Sequence, residues 1–354
     1  MPSLIERVSS AGKRELQTRW STQIDDYATC LSYSADGMVV AVGSASGKVW
    51  IQDARTGQTL RTLDAHSSGV LGLSFSPKKR VLCTGGQDGM ARLFDVDEGR
   101  VIAELPGKAA WVDHVAFSPD GNWVATSSGK FVRLWSHAGV PALETEAHES
   151  TVSAVSWSRK GDAFVTCCYG GVHIFRMKAN VKTRHLAWKG SLISLAQSPD
   201  GRVIACGSQD CSVHFWRLPS GADSFMEGFA SKPKSLAFSA NSRYLATTGE
   251  PIISIWDFAG KGPEGTQPIM LSGHVGLVTQ LVFQTRGTTL VSGAEDSGIL
   301  VWDPRIGEEP LGYGFLEESV SSIVIHPHDE AFTAADAAGN VHCFALPSSQ
   351  IEKH

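Results

Sequence analysis

The sequence lacks the features that would place it in a membrane or in a secretory route. No apolar run is longer than about six residues, whereas a membrane-spanning helix requires roughly 20. The N-terminal stretch MPSLIERVSSAGKRELQ carries charges where a signal peptide would have its apolar segment. We therefore expect a soluble cytoplasmic protein that has no contact with a membrane.

Clustered positive charge is also missing. The formal net charge is −5, the isoelectric point is near 6.2, and no block rich in Lys and Arg occurs. A chain that binds nucleic acid normally carries a basic patch that neutralises phosphates, so nucleic acid is an unlikely partner. Charged residues make up 19% and apolar residues 42% of the sequence, which is typical of a globular protein and argues against disorder.

The cysteines do not form the pattern of a disulfide framework. Their number is odd, and most lie within apolar, strand-like runs such as RVLCTGG and RVIACGS. In a cytoplasmic protein of this length, small buried thiols are the expected interpretation. The seven positions are Cys30, Cys83, Cys167, Cys168, Cys206, Cys211 and Cys343.

One pattern does recur along the chain, and it indicates a repeat architecture. The segment LGLSFSPKKRVLCTGGQDGMARLFD at 71–95 has counterparts such as TQLVFQTRGTTLVSGAEDSGILVWD at 279–303. Eight copies occur in steps of 40 to 45 residues, marked by the central residues of their first strands. These residues are Tyr33, Phe75, Phe117, Trp157, Gln197, Phe238, Phe283 and Ile325.

Each copy alternates short β-forming runs with turn sequences. SPDG at 118–121 and 198–201 predicts a tight turn, and QDG at 87–89 marks a second turn before the third strand. A more polar, variable segment follows and fits a fourth, outer strand. Four strands in about 42 residues, without a helical period, are typical of a β-propeller blade.

These units resemble WD40 repeats. The resemblance rests on eight copies in phase, on WD at 256–257 and 302–303, on GH at 273–274, and on AH at 65–66 and 147–148. It covers about residues 27 to 347 and implies one all-β propeller domain of four-stranded antiparallel blades within 1–354. Repeats one to eight are predicted at 27–65, 66–106, 107–147, 148–188, 189–229, 230–273, 274–316 and 317–347.

The ends of the repeat region predict how the ring closes. Repeat eight reaches its third strand at NVHCFAL, and too few residues follow for a fourth. The segment 14–25 resembles an outer strand, so we expect it to pair with the last blade and to leave no free sheet edge. We predict eight blades, with seven, the commoner number in the family, as the alternative.

The resemblance also assigns roles to a set of His, Ser/Thr, Asp and Trp residues that looks like a hydrolytic triad. In the family these residues form a structural hydrogen-bond tetrad. The set recurs in graded form, and Ser292 lies in a strand without a G-x-S-x-G motif, so we predict structure and no catalytic residue. The assigned residues are His274, Ser292, Asp296 and Trp302 in repeat seven and His66, Thr84 and Asp88 in repeat two.

No cofactor is predicted, and no metal site. HPHD at 326–329 is interpreted as a solvated turn variant. CC at 167–168 with His173 is a weaker metal candidate, because alternate strand residues point to opposite faces. A metal site assembled across blades in the central channel remains an alternative.

Function is therefore expected on a surface of the propeller. This surface is formed by the loops that enter each repeat and the turns between its second and third strands, and it is called here the loop face. Exposed aromatic anchors and charges there suit a protein or peptide partner. The candidates are Trp111, Trp188, Tyr169, Lys108, Lys189, Lys232 and Lys234, with Asp26, Glu149, Glu250, Glu317 and Glu318 as the acidic counterpart.

We predict a non-enzymatic interaction scaffold, monomeric by itself. The first alternative is an enzyme or metal-binding module that uses the central channel. The second is an acidic or nucleic-acid ligand at the four lysines, which the negative net charge disfavours.

Overall fold

The computed structural model describes residues 14–108, 111–177, 182–260 and 262–347. Within these ranges the chain forms 31 β-strands and no helix. All seven cysteines are free thiols, and five of them are buried, as the sequence predicts. The protein is therefore all-β.

The first sixteen strands form the N-terminal segment and the first four repeats, although β16 continues into the third strand position of repeat four. They are β1 (Arg14–Glu15), β2 (Thr18–Gln23), β3 (Ala28–Tyr33), β4 (Val39–Ser44), β5 (Lys48–Asp53), β6 (Thr59–Asp64), β7 (Val70–Phe75), β8 (Val81–Gly86), β9 (Met90–Asp95), β10 (Arg100–Pro106), β11 (His114–Phe117), β12 (Trp123–Ser128), β13 (Phe131–Ser136), β14 (Pro141–Glu144), β15 (Ala154–Trp157) and β16 (Ala163–Arg176).

The remaining strands begin with the long β17, which joins repeats four and five. They are β17 (Lys182–Gln197), β18 (Val203–Ser208), β19 (Val213–Arg217), β20 (Asp223–Met226), β21 (Leu236–Phe238), β22 (Tyr244–Thr247), β23 (Ile253–Asp257), β24 (Ile269–Leu271), β25 (Val278–Phe283), β26 (Leu290–Ala294), β27 (Gly298–Trp302), β28 (Gly312–Phe315), β29 (Val320–Ile325), β30 (Ala331–Asp336) and β31 (Asn340–Ala345).

Consecutive strands pair antiparallel within a repeat, and the sheets follow one another around a ring. The first strands of successive repeats touch in the order β3, β7, β11, β15, β17, β21, β25 and β29, and β29 touches β3 again. The contact between the first and the last of these strands closes the circle. This arrangement is a β-propeller with its innermost strands around the axis.

Hydrogen bonding groups the described strands into seven sheets, one fewer than the repeat count predicts. The difference arises in a six-stranded sheet, β15 to β20, that holds repeats four and five. Aligned with the other repeats, β16 covers the second and third strand positions of repeat four. The strand β17 covers the fourth position of repeat four and the first position of repeat five. Counted as hydrogen-bonded sheets, the described strands form seven blades, which is the alternative number given by the sequence.

The N-terminal segment divides between two sheets. The strand β2 pairs antiparallel with β31, with Trp20 opposite Cys343 and Gln23 opposite Asn340, and is the fourth strand of the sheet that holds repeat eight. The short β1 pairs parallel with β28 at the outer edge of repeat seven. Trp20 is buried, and its indole N–H donates to the carbonyl of Ala54 at 2.8 Å, so the segment also contacts repeat one.

The apolar core lies between neighbouring sheets. In one cluster, Ile51 of β5 packs with Val70 of β7 and Leu82 of β8, so repeats one and two share the same buried surface. The strand β4 is buried along its whole length because sheets cover both of its faces. Burying one such side chain stabilises the fold by about 1.5–3 kcal/mol, so each sheet depends on its neighbours.

Candidate functional site

The four predicted residues of repeat seven form one connected network. Nε2 of His274 lies 2.8 Å from Oγ of Ser292, and Nδ1 lies 3.2 Å from Oδ1 of Asp296. The indole N–H of Trp302 donates to the same Ser292 oxygen at 2.8 Å. The carboxylate of Asp296 also accepts the backbone N–H groups of Val275 and Gly276, which ties the loop that enters the repeat to the turn before β27.

This network has the geometry of a structural support. Ser292 and Trp302 are both 0% exposed, so a substrate cannot reach the Ser292 hydroxyl. Burial opposes the ionisation of Asp296, but hydrogen bonds from His274 and the two backbone amides outweigh it and lower the pKa to about 2. A satisfied buried network of this kind fixes loop position and does not provide a nucleophile.

Repeat two uses the same network with one replacement. His66 contacts Thr84 at 2.8 Å and Asp88 at 2.9 Å. Phe94 stands where repeat seven has Trp302, and it has no N–H to donate. A different residue, Arg92, adds an ion pair to the network: its guanidinium lies 2.8 Å from Asp88 and neutralises this carboxylate. Burial lowers the pKa of His66, which favours the neutral imidazole.

The other repeats keep only parts of the network. Trp135 donates to Thr126 at 2.9 Å in repeat three, and Trp256 donates to Thr247 at 3.2 Å in repeat six. In repeat four, Nε2 of His148 lies 2.8 Å from Thr166, but its Nδ1 donates to a backbone carbonyl because no turn Asp is present.

Two predicted aromatic candidates are exposed on the loop face. Trp111 is 50% exposed in the loop that enters repeat three, and Tyr169 is 52% exposed in the turn of repeat four. Neither side chain belongs to a buried cluster, so packing does not account for them. An aromatic ring held at a loop surface offers a partner a large contact area at low entropic cost.

Trp188 lies in a different environment. Its ring packs on His214, with 3.9 Å between ring centroids, and joins the partly buried edge of the core shared by repeats four and five. Trp188 is part of β17, which follows the outer strand position of repeat four. The structure therefore places this predicted anchor in a packing position.

One of the four predicted basic residues is engaged in an ion pair. Lys108 is paired with Glu144 and lies 3.9 Å from the ring centroid of Phe131. Lys189, Lys232 and Lys234 are exposed. A paired lysine is a weak phosphate ligand, so the structure adds no support for a nucleic-acid interface.

The HPHD turn contributes to ring closure. Nε2–H of His326 donates to the carbonyl of Gly37 at 3.0 Å, which joins repeat eight to repeat one, and His326 is only 6% exposed. Its ring also packs edge-on against Tyr33. The interpretation of this turn as a solvated variant is therefore wrong for His326, because the side chain points into the seam between the two repeats.

One cluster was missed by sequence reasoning. Glu149, His173 and His185 of repeat four bring one ligand atom each to within 4.8 Å of one another. Burial lowers the pKa of His173, although the hydrogen bond with Glu149 opposes this shift. The three residues lie 12 to 36 positions apart in sequence, and only the strand register between β16 and β17 brings the two histidines together. Glu149 lies in the loop that enters the repeat, His173 at the third strand position and His185 at the fourth, so none of them lies on the innermost strand.

In the described part of the chain, no helix is long and apolar enough to cross a membrane.

Comparisons with known proteins agree with the architecture. The model of the WD domain, G-beta repeat, matches residues 57–95, 99–136, 139–176, 180–217 and 265–303, more than half of the chain. The model of the anaphase-promoting complex subunit 4 WD40 domain matches residues 6–72. The computationally designed protein Ika8 superimposes with a TM-score of 0.79 at 22% identity, over 93% of this chain and 100% of that chain, which shows similarity of fold.

Curated relatives are distant and longer. The chain is 25% identical over 295 residues to telomerase protein component 1 of Rattus norvegicus, over 80% of this chain and 11% of the relative. It is 24% identical over 287 residues to WD repeat-containing protein slp1 of Schizosaccharomyces pombe, over 79% of this chain and 50% of the relative. The chain thus spans half or less of the length of these relatives. On the family match and the propeller architecture, this chain belongs to the WD-repeat family, whose members generally act as non-enzymatic scaffolds for protein interactions.

Proposed function

We propose that this protein is a non-enzymatic scaffold that binds a protein or peptide partner through its loop face. The observation that carries the proposal is the exposure of Trp111 and Tyr169 in loops of consecutive repeats. The loops are anchored to the blades by backbone hydrogen bonds, such as Val112 N–H to Gly86 O at 3.0 Å. A preorganised surface of this kind binds a partner without a large ordering cost.

We also infer that the ring has eight blades and that β2 closes it. The closed circuit of first strands supports this count, since it contains eight members. The six-stranded sheet supports it too, because its strands fill the positions of two repeats. The pairing of β2 with β31 supplies the fourth strand that repeat eight lacks in sequence.

The chemistry of the surface favours a protein over a nucleic acid. The chain has a net charge of −5, and Lys108 is already paired with Glu144. Aromatic anchors surrounded by charges of both signs are typical of protein interfaces. The proposal further includes a cytoplasmic location, which the seven free thiols support, and a chain that is monomeric by itself.

The experiment is an affinity capture with three forms of the protein. We expect the wild type to retain a partner that the double variant Trp111→Ala/Tyr169→Ala loses. The matched control is Ile306→Ala, because Ile306 is 54% exposed in the turn between β27 and β28, on the opposite side of the ring. This control should retain the partner.

The captured partner is then purified and titrated against the same three forms. An interface with two aromatic hot spots should lose at least 100-fold in affinity when both are truncated, since each contributes about 2 kcal/mol or more. Equal affinity for the wild type and the double variant would refute binding by this face. Circular dichroism and thermal melts establish that all three forms are folded.

A further inference from the structure

We propose that Glu149, His173 and His185 form a binding site for a divalent transition-metal ion of the zinc type on the outer part of repeat four. The site goes beyond the scaffold role, since it requires no protein partner. It follows from the juxtaposition of two imidazoles and one carboxylate, a ligand set that zinc uses in proteins. Calcium and magnesium prefer sets of oxygen ligands, so the two imidazoles select against them.

The two histidines form a cross-strand pair. His173 of β16 lies directly opposite His185 of β17 in the antiparallel register, so both side chains project from the same face of the sheet. Their rings stack with 4.4 Å between centroids and 13° between planes. A metal bound by both nitrogens would close a chelate on two strands that are already held by backbone hydrogen bonds, which lowers the entropic cost of binding.

Glu149 supplies the third ligand from the loop that enters the repeat. Its Oε2 lies 3.1 Å from Nε2 of His173, and the three ligand atoms lie within 4.8 Å of one another. In a tetrahedral site with bonds of about 2.0–2.1 Å, ligand atoms are about 3.3 Å apart. Small side-chain rotations therefore suffice to bring the three atoms to bonding distance.

The surroundings leave room for a metal and hold its ligands. Glu149 and His185 are exposed and His173 is half-buried, so solvent can fill a fourth coordination position. Nε2–H of His185 donates to the carbonyl of Gly170 at 3.1 Å. Metal binding through this nitrogen requires the ring proton to move to Nδ1, where the N–H donates a hydrogen bond to water. The ring of His148 packs edge-on against His173 at 4.8 Å and restricts its rotation.

A cavity of about 460 Å³ adjoins the cluster. Its walls include Glu144, Glu146 and Glu149, together with the apolar side chains of Leu143 and Phe175. Glu144 is paired with Lys108 and Arg133, but Glu146 adds an exposed negative charge close to the ligands. The Lys130 ammonium donates to the backbone carbonyl of Glu149 at 3.0 Å, so charges of both signs surround the ligands.

Comparison with repeat two explains why the proposed metal site occurs in repeat four and not in repeat two. His173 lies two residues before Phe175, as Arg92 lies two residues before Phe94. In repeat two, the permanent charge of Arg92 neutralises Asp88. In repeat four the turn Asp is replaced by Tyr169, Glu149 takes over as the carboxylate, and its partner is an imidazole with a lone pair. The carboxylate thus lacks a permanent cation, which a metal ion would supply.

The test is a calorimetric titration of the whole chain, freed of any purification tag, with zinc chloride. We expect one zinc ion per chain, and no binding of calcium or magnesium. Each of the variants Glu149→Gln, His173→Gln and His185→Gln should weaken zinc binding by at least 100-fold, because even residues that only support a ligand contribute 10–100-fold. The control His137→Gln removes an exposed histidine of repeat three and should bind zinc as the wild type does.

Cobalt substitution identifies the ligands independently. A site of two imidazoles, one carboxylate and water gives visible cobalt bands without thiolate-to-metal charge transfer in the near ultraviolet. This readout matters because Sγ of Cys168 lies 3.6 Å from Oε2 of Glu149. A thiolate band, the absence of zinc binding, or unchanged affinity in the exposed-residue variant His185→Gln would each overturn the proposal. Equal thermal stability of His185→Gln and wild type without metal excludes misfolding as the cause of lost binding.

Discussion

Ser292 illustrates how the chemistry of one side chain is determined by its neighbours. Its hydroxyl proton faces Nε2 of His274, and its oxygen accepts the indole N–H of Trp302. Asp296 then orients the imidazole by accepting from Nδ1. The same four residue types could support acyl transfer if the serine were exposed, but here every polar atom is buried and engaged. Removal of one member leaves the others with unsatisfied hydrogen-bonding groups, which typically costs 1–3 kcal/mol.

The lowered pKa of Asp296 predicts how the stability of the protein depends on pH. The folded pKa is about 2 and the ordinary value is 3.8, so folding favours the ionised carboxylate. This contribution is fully present above about pH 4 and is lost as pH falls through about 2. After allowance for solvent screening it amounts to about 1–2 kcal/mol. Asp296→Asn should therefore destabilise the protein at pH 6, and its deficit relative to wild type should shrink towards pH 2.

Urea unfolding at pH 2.5, 4 and 6 measures this difference, because the contribution of Asp296 is complete at pH 6 and has already declined at pH 2.5. Asp64→Asn serves as the control, because Asp64 is an exposed carboxylate at the end of β6. A deficit in Asp296→Asn that stays constant over the three pH values would contradict the assignment of the ionised network.

These residue roles could be predicted in part from the sequence. The His, Ser/Thr, Asp and Trp positions recur at fixed spacing, and the resemblance to WD40 repeats implied that they converge. The role of Arg92 could not be predicted, since its ion pair with Asp88 involves a position outside the His, Ser/Thr, Asp and Trp pattern. The position of Trp188 was also beyond the sequence, because its contact with His214 depends on how β17 passes from one repeat to the next.

The strands β16 and β17 depart from the strand pattern of the other repeats. Repeat four has Tyr169, Gly170 and Gly171 where repeat two has a turn stabilised by Asp88. In repeat four the backbone continues as one strand of 14 residues, and the next strand has 16. The repeat pattern predicts the turns and strand order, but not this fusion, because repeats three and six also lack the turn Asp and keep their second and third strands separate. The register that pairs His173 with His185 depends on it.

Gly171 is the residue that allows the backbone of β16 to pass from the second to the third strand position without a separate turn. Its φ is +135°, and a Cβ there would lie 2.2 Å from the carbonyl oxygen of Leu186 in β17. Gly171→Ala should destabilise the protein by about 3 kcal/mol or more, because backbone strain and the clash add. Gly201→Ala is the matched comparison, since Gly201 also has a positive φ, +72°, but open space around its Cβ position.

Gly201→Ala should cost only about 1 kcal/mol, which is the strain alone. Thermal unfolding of the two variants measures the difference. Equal losses of stability would show that the close approach of β17 to Gly171 does not constrain the bend.

Ring closure depends on contacts between residues that are very far apart in sequence. Trp20 packs in a cluster with Val40, Trp50 and Cys343, which combines the N-terminal segment with repeats one and eight. The Tyr33 hydroxyl lies 2.5 Å from Oγ1 of Thr333 in the same seam. Pairing of 14–25 with the last repeat could be expected from the sequence because repeat eight ends one strand short. The division of this segment between two sheets could not, since β1 is only two residues long.

A chain that begins at residue 26 tests the role of β2. Loss of β2 leaves the edge of β31 unpaired and removes Trp20 from its cluster. We expect a lower melting temperature and self-association through the free edge. A synthetic peptide of residues 14–25 should restore the melting temperature when added in excess, because it re-forms the missing strand.

A peptide with Trp20→Ala is the control, and it should fail to restore stability, since truncation of a buried Trp costs about 3–5 kcal/mol. Rescue by both peptides alike would show that Trp20 is not needed for closure. No effect of residues 14–25 on the melting temperature would show that the ring is closed by other contacts.

The antiparallel pairing of β2 with β31 also determines how the ring responds to mechanical tension. Thr18 lies opposite Phe344, and Gln23 lies opposite Asn340. The N-terminal end of β2 and the C-terminal end of β31 are therefore at the same end of the strand pair. A force applied through these two ends would separate the hydrogen bonds one after another, beginning at Thr18, rather than load all of them together in shear. The seam between the last and first repeats would therefore open at low force while the other sheets stay intact.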